Sequence, residues 1–325
     1  MTLPRHVAPG RFYMLTRRTL ERRYFLLPGA ELNNNYVYCL TEAAQRCKIE
    51  LILPQMLSNH HHPVFYDRHG NAIEFMERSH KLIARSVNRL RGRSDQFWSG
   101  VSPCLTELGT PEDVMKKLVY AAINPVKHRL VEHARDWPGP NFLDALLNDR
   151  PMQAVRPKYF FRRDGELPEH VELRLVIPPE LGDPATVRRI LRERVALAEE
   201  DFRQKRLKEG QKVVGRRNIL RHSPNAAPDT EAPRSEIRPR VAASDPEVRK
   251  GLLARNKIFA HEYAKALAAK KRGTPIPFPY GTYALARRYS EPVAVEDPPP
   301  WPVIRPRPIA ADAPDALSLT GPPSG

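Results

Sequence analysis

Cysteine is scarce in this chain: Cys39, Cys47 and Cys104 are the only three among 325 residues. An odd, widely spaced trio builds no disulfide framework and matches no zinc-ligand spacing. The three read as reduced thiols of a cytosolic protein, and Cys39 and Cys47 fall in a helical pattern, where a buried thiol acts as a small hydrophobe. Long apolar runs are missing as well. No stretch reaches the roughly 18 residues a bilayer span needs. Arg5 near the start is followed by no apolar core, so no secretory signal is expected. Internal repeats are absent too. Acidic residues are also in short supply, 37 against 53 Lys plus Arg, for a formal net charge of +16. Such a field attracts polyanions, nucleic acid first, with membrane surfaces and acidic proteins behind it.

What is present begins with a hydrophobic share of 41%, enough for a core, and 34 prolines that cluster late. The expected organisation is a compact domain over residues 1–150. A basic, mainly helical extension of unassigned role follows over 151–290, and a Pro-rich, extended or disordered tail over 291–325. Alternation over Arg11–Arg17 predicts a first strand. Leu32, Tyr36, Leu40, Ala43 and Cys47 recur at helical spacing over 31–47. Ile49–Met56 and His60–Asp67 read as a hairpin around Leu57-Ser58-Asn59. Asn71 with Glu74 resembles a cap for a helix whose stripe is Ile73, Met76, His80, Ile83, Val87 and Leu90. Residues 103–109 suit a strand, and Thr110-Pro111 with Asp113 opens a helix.

Pro125 stops that helix or opens a short basic one over Val126–Arg135. The resulting order, strand–helix–strand–strand–helix–strand, is the split βαβ plan. It is an α+β fold with an antiparallel sheet, helices on one face and the other face open to a ligand. Further on, Lys158–Arg162 and Val171–Ile177 are expected to pair as strands. Asp183-Pro184 starts a charged helix to about Lys208, residues 222–240 read as a linker, and Ser244–Glu247 caps a helix to about Lys271.

Two stretches carry chemistry. On a strand, His60 and His62 of Asn59-His60-His61-His62 share one face and His61 takes the other. On a helix, Tyr120 and Asn124 stand one turn apart. Two imidazoles and an amide oxygen suit a divalent ion, and a phenol beside them suits attack on a phosphate. The plainer reading of each is a loop cluster, a packed tyrosine and an ordinary helix end. His80, within its stripe, reads as a packed core histidine. Lys116, one turn before Tyr120, is a candidate to support the phenol or hold a phosphate. Arg78, Arg85 and Arg89, with Lys81, form either a solvated basic face or a phosphate-contacting one.

Residues 10–140 resemble the IS200-like single-tyrosine transposases, above all their REP-associated relatives. The resemblance rests on Gly10-Arg11-Phe12-Tyr13, Met56 through His62, Phe97-Trp98, Tyr120 through Val126, Leu130-Val131 and Trp137-Pro138. It implies that His60 and His62 are the histidines of an HUH motif binding Mg²⁺ or Mn²⁺. It further implies Tyr120 as nucleophile and Asn124 as third ligand. The implied activity is cleavage and joining of single-stranded DNA, often beside a hairpin, through a 5′-phosphotyrosine intermediate. The implied setting is the bacterial cytosol and nucleoid, as a monomer or homodimer, with no membrane. Two positions depart from the family pattern. His61 stands where a bulky apolar residue is usual and then needs a buried hydrogen-bond partner. Pro63 removes a ladder donor, so either a bulge at His62-Pro63 or a distorted site is expected. The alternative function is a weak or inactive domesticated DNA- or RNA-binding protein of the same fold. A replication-initiator or relaxase nuclease lacks support from any helicase segment.

Overall fold

A computed structural model describes residues 4–158, 165–230 and 239–295. Parts of the expected strand at 158–162, of the linker at 222–240 and of the tail from 291 lie outside these residues. The fold begins β1 (Arg11–Arg18), α1 (Ala30–Cys47), β2 (Glu50–Leu53), β3 (His60–His61), β4 (Val64–Asp67), α2 (Ala72–Leu90) and β5 (Cys104–Leu108). β2, β4, β1 and β5 lie side by side in that order, all antiparallel. This is the split βαβ plan of an α+β fold. Each helix recrosses the sheet because a single apolar stripe must be buried against it. Along α1, Leu32, Tyr36, Leu40, Ala43 and Cys47 are all buried, as the spacing implies.

The sheet separates two environments. Phe65 of β4 packs on Phe75 of α2, with ring centroids 5.1 Å apart, and His61 meets Tyr36 of α1 and His80 of α2. α1 and α2 therefore cover one face together. The opposite face is not open as expected: α3 (Pro111–Lys127) crosses it, bringing Tyr120 to His62. Thr110 accepts the Asp113 N–H and starts α3 where the sequence places it.

Pro63 leaves the strand register intact. β3 and β4 pair with β1 in one uninterrupted register, and Leu15 still donates its N–H to the Pro63 carbonyl. The proline costs one ladder bond, the donor it lacks. The irregularity falls on the neighbouring strand, where the β2 register shifts between Leu51 and Leu53. The bulge expected at His62-Pro63 thus sits one strand away, and His62 exchanges both backbone hydrogen bonds with Gln55.

Two caps differ from expectation. Asn71 precedes α2 but makes no side-chain cap. The Asp67 carboxylate instead accepts from the N–H groups of His69, Asn71 and Ala72, because a charged acceptor at the end of β4 reaches all three. The basic helix expected over Val126–Arg135 is absent. α3 carries Pro125 in its last turn, and Arg129 at φ 57° turns the chain away.

Beyond α4 (Phe142–Leu147), β6 (Met152–Val155) pairs with β7 (His170–Leu173), so the first strand of that pair precedes the expected one. α5 (Pro184–Lys208) starts at Asp183, whose carboxylate accepts from Thr186 N–H. Val171, Leu173, Val187, Leu191 and Val195 belong to the same buried cluster as Leu15, Phe65 and Val114. After α6 (Arg216–Ile219), β8 (Val241–Ala242) adds parallel to β5. α7 (Pro246–Lys271) follows, capped by Asp245 rather than Ser244, and α8 (Ala284–Tyr289) is the last helix of the described residues. Ser244 is engaged elsewhere: its N–H donates to Asp113 and its hydroxyl accepts from Lys116. Arg255 of α7 and Arg11 of β1 converge on the buried Glu107 carboxylate of β5. No described helix is long and apolar enough to cross a membrane.

Candidate metal and nucleophile site

The turn before His60 is held from two sides. Thr19 donates its N–H to the Asn59 carbonyl, with its hydroxyl between the Asn59 and Arg23 carbonyls, and Leu26 N–H donates to the Ser58 carbonyl. Trp137, from the Trp137-Pro138 segment, donates its indole N–H to the Met56 carbonyl at 2.8 Å. These bonds fix the backbone just before the histidines, and pleating then aims His60 and His62 together. Their ring centroids are 4.7 Å apart.

Each imidazole is tethered at Nδ1. His60 Nδ1 donates to Asn59 Oδ1 at 2.7 Å, and His62 Nδ1 lies 2.8 Å from Thr16 Oγ1. A neutral ring protonated at Nδ1 presents its Nε2 lone pair outward. Both Nε2 atoms are buried and have no partner among the described residues. Burial, then the neighbouring imidazole, holds each pKa well below the usual histidine value. The rings are accordingly neutral near pH 7, the form that ligates a cation.

α3 presents Tyr120 against this pair. Val114, Leu118 and Ala121 are buried and set the helix rotation, which leaves Tyr120 and Asn124 one turn apart. The Tyr120 ring centroid is 5.7 Å from that of His62. Asn124 is fully buried, and neither its Oδ1 nor its Nδ2 has a partner among the described residues. Leaving such an amide unpaired costs on the order of 1–3 kcal/mol per group. Two lone-pair nitrogens and one amide oxygen form a donor set suited to a divalent cation with open positions. Among the described residues no three His, Cys, Asp or Glu side chains form a metal cluster, so any ion here relies on the amide.

The expected cations divide. Lys116 donates to Ser244 Oγ at 3.1 Å and does not attend Tyr120. Its neighbour does: Lys117 Nζ lies 5.4 Å from the Tyr120 ring centroid and Lys127 Nζ 4.9 Å. Burial lowers the pKa of both lysines. Arg78 is committed to Glu42 in a two-point ion pair. Arg85 and Arg89 are exposed on α2, which packs on the face that His61 reaches, away from His60 and His62. None of these three arginines joins the site.

Three members escaped sequence reasoning. His128 lines the same region, its ring 6.5 Å from His60 and its Nε2 buried without a partner among the described residues. Burial, then Lys127 and Arg129, pushes its pKa down to about 4. Its position four residues after Asn124 was an available signal. Lys117, three before Tyr120, was another. Thr16 carried none, because its role depends on strand pairing.

His61 points away, as alternation requires, and its partners are present. Tyr36 Oη lies 3.0 Å from its Nδ1 and His80 Nε2 lies 3.1 Å from its Nε2. Trp98 stacks on the His61 ring and donates its indole N–H to the His80 carbonyl. His80 is a packed, hydrogen-bonded core histidine.

No family model and no curated protein matches the chain. Similar solved structures include a REP-associated tyrosine transposase bound to a REP hairpin. It shares 18% identity over 43% of this chain and 81% of its own, at a TM-score of 0.37. A candidate transposase from Deinococcus radiodurans R1 shares 18% identity over 32% of this chain and 84% of its own, at a TM-score of 0.25. Likenesses this distant bear on no residue's role.

Proposed function

We propose that this chain is a metal-dependent single-stranded DNA endonuclease and strand transferase, of the transposase type, with Tyr120 as nucleophile. One observation carries the reading. The Nε2 atoms of His60 and His62, without a partner among the described residues, lie beside Tyr120, and one turn along α3 stands the buried Asn124 amide, likewise without a partner among them. Their donor set fits Mg²⁺ or Mn²⁺ held by His60, His62 and Asn124, and such an ion supplies Lewis-acid polarisation of a scissile phosphate.

The chain's own groups do the rest. Asn59 and Thr16 orient the two imidazoles, and α3 holds the phenol against them. The Tyr120 oxygen attacks phosphorus and the P–O3′ bond breaks. The 5′-phosphate stays on the tyrosine, and the phenolic proton is balanced by the proton gained by the departing 3′-oxygen. A 3′-hydroxyl attacking the phosphotyrosine reverses the step and joins strands. Lys117 and Lys127 stand where negative charge develops on the phosphate.

Labelled single-stranded DNA containing a hairpin, incubated with Mg²⁺ or Mn²⁺, is expected to give a covalent protein–DNA species in a denaturing gel. Tyr120→Phe is expected to abolish that species while leaving DNA binding intact. An adduct that survives Tyr120→Phe sinks the assignment. Binding with no adduct in the unaltered chain points to a DNA-binding protein without catalysis.

A further inference from the structure

We infer that the C-terminal extension supplies one wall of a nucleotide-binding cleft that starts at His60, in which a single-stranded base next to the scissile phosphate is held. The inference rests on the proposed reaction and gives the extension a role in it. The cleft measures about 540 Å³ and runs from His60, Lys127 and His128 to residues of α5 and α6. That volume lies within the roughly 300–1,000 Å³ of sites that enclose small organic groups.

The cleft continues the candidate site. Lys127 lies against the Tyr120 ring and also lines the cleft, and the buried Nε2 atoms of His60 and His128 belong to residues at its inner end. A strand whose phosphate sits at Tyr120 therefore places a neighbouring nucleotide here. The lining suits one. Leu57, Val126, Val131 and Ile219 form an apolar cluster of their own at its base. Phe202 of α5 is half-buried at the wall, and His222 packs edge-on to Tyr24 at 5.4 Å. Aromatic faces hold bases of any sequence by stacking, while cations follow the backbone.

The charges are distributed in the same sense. Arg203, Lys205 and Arg206 on the extension side are neutralised by Glu200, Asp201 and Glu132. Lys127 and Arg129 remain, beside Arg22, which donates to Thr230, in the lining that also holds His60, where a phosphate arrives. A duplex is too wide for such a cleft, and a purely apolar ligand leaves those cations unmet.

The test uses the full chain carrying Tyr120→Phe, without divalent metal, so that binding is read apart from catalysis. Short single-stranded oligonucleotides with 2-aminopurine at successive positions are titrated by fluorescence and anisotropy. One position is expected to be quenched, and His222→Ala, Phe202→Ala and Arg129→Gln each to weaken binding about 10-fold, as loss of one stacked base or one phosphate contact implies. His222 and Arg129 are exposed, so those two variants report binding without endangering the fold. Unchanged affinity in these variants, or failure of the parent to bind any oligonucleotide, overturns the inference. An adduct formed by the unaltered chain together with unaffected variants removes the cleft but keeps the Tyr120 reaction. Weakened variants without any adduct do the reverse.

Discussion

Arg17 orders the protons behind the histidine motif. A guanidinium donates only, so His80 Nδ1, 3.1 Å from Arg17 Nη1, must accept. Neutral His80 then carries its proton on Nε2 and gives it to His61 Nε2, which leaves His61 Nδ1 to donate to Tyr36. Burial keeps His61, at about 3, and His80 far below the usual histidine pKa, in agreement with that neutral chain. His61→Leu is therefore expected to strand the His80 donor and cost about 1–3 kcal/mol in urea unfolding. His61→Leu combined with His80→Leu is expected to cost less than the two singles added, and strict additivity would refute the chain. The same burial sets an acid limit on stability. His6, lowered to about 2 by burial and then by Arg11 and Arg255, and His80 both resist protons that the unfolded chain accepts. Their contribution is complete above about pH 6.5. It is lost as pH falls below that, by up to about 1.4 kcal/mol per pH unit for each group. The melting temperature is expected to drop between pH 7 and pH 5, with a shallower drop in His80→Gln. A flat profile would contradict it.

At the scale of elements, α3 combines what local sequence sets with what only packing can. Its start was legible, because Thr110, Pro111 and Asp113 cap it through bonds between near neighbours. The helix from Asp183 was legible for the same reason, and the one at 31–47 from its apolar spacing. So was the opposition of His61 to His60 and His62, which follows from pleating alone. The irregularity at Leu51/Leu53 was not, since it depends on how β2 meets β4. Nor was the Asp67 cap, which requires the end of β4 to meet the first turn of α2. Lys116 looked like the phenol's neighbour one turn back, yet α3 is rotated so that Ser244 takes it and Lys117 faces the ring. Under the proposed reaction Lys117, with Lys127 at the end of α3, is a cation placed to meet the developing phosphate charge. Lys117→Met is expected to slow adduct formation about 10- to 100-fold at saturating DNA while affinity changes little, with Lys117→Arg restoring part of the rate. Equal rates in Lys117→Met and the parent, at every pH, would leave the lysine a packing residue.

For the whole molecule, the extension belongs to the same body as the sheet. The surplus of basic residues raises the expectation of a polyanion partner, but nothing local announced that α5 would lie on α3 or that β8 would extend the sheet beside β5. Those contacts join residues far apart in sequence through side chains that look alike in any amphipathic helix. They matter energetically. Val171, Leu173, Ile177, Val187, Ile190, Leu191 and Val195 are all buried in the main cluster. Each such side chain contributes roughly 1.5–3 kcal/mol when buried, against a net stability of about 5–15 kcal/mol for an ordinary domain. A fragment of residues 1–150 is therefore expected to lack a cooperative thermal transition and to lose its near-ultraviolet circular dichroism. A fragment of residues 1–215, which keeps α5, is expected to melt in a single step. The readout is calorimetry of the two fragments beside the full chain. If the shorter fragment melts cooperatively within a few degrees of the full chain, the sheet and α3 suffice by themselves and α5 is an ornament to the core. If it does not, the tyrosine helix is held against the histidines partly by α5, which packs on it.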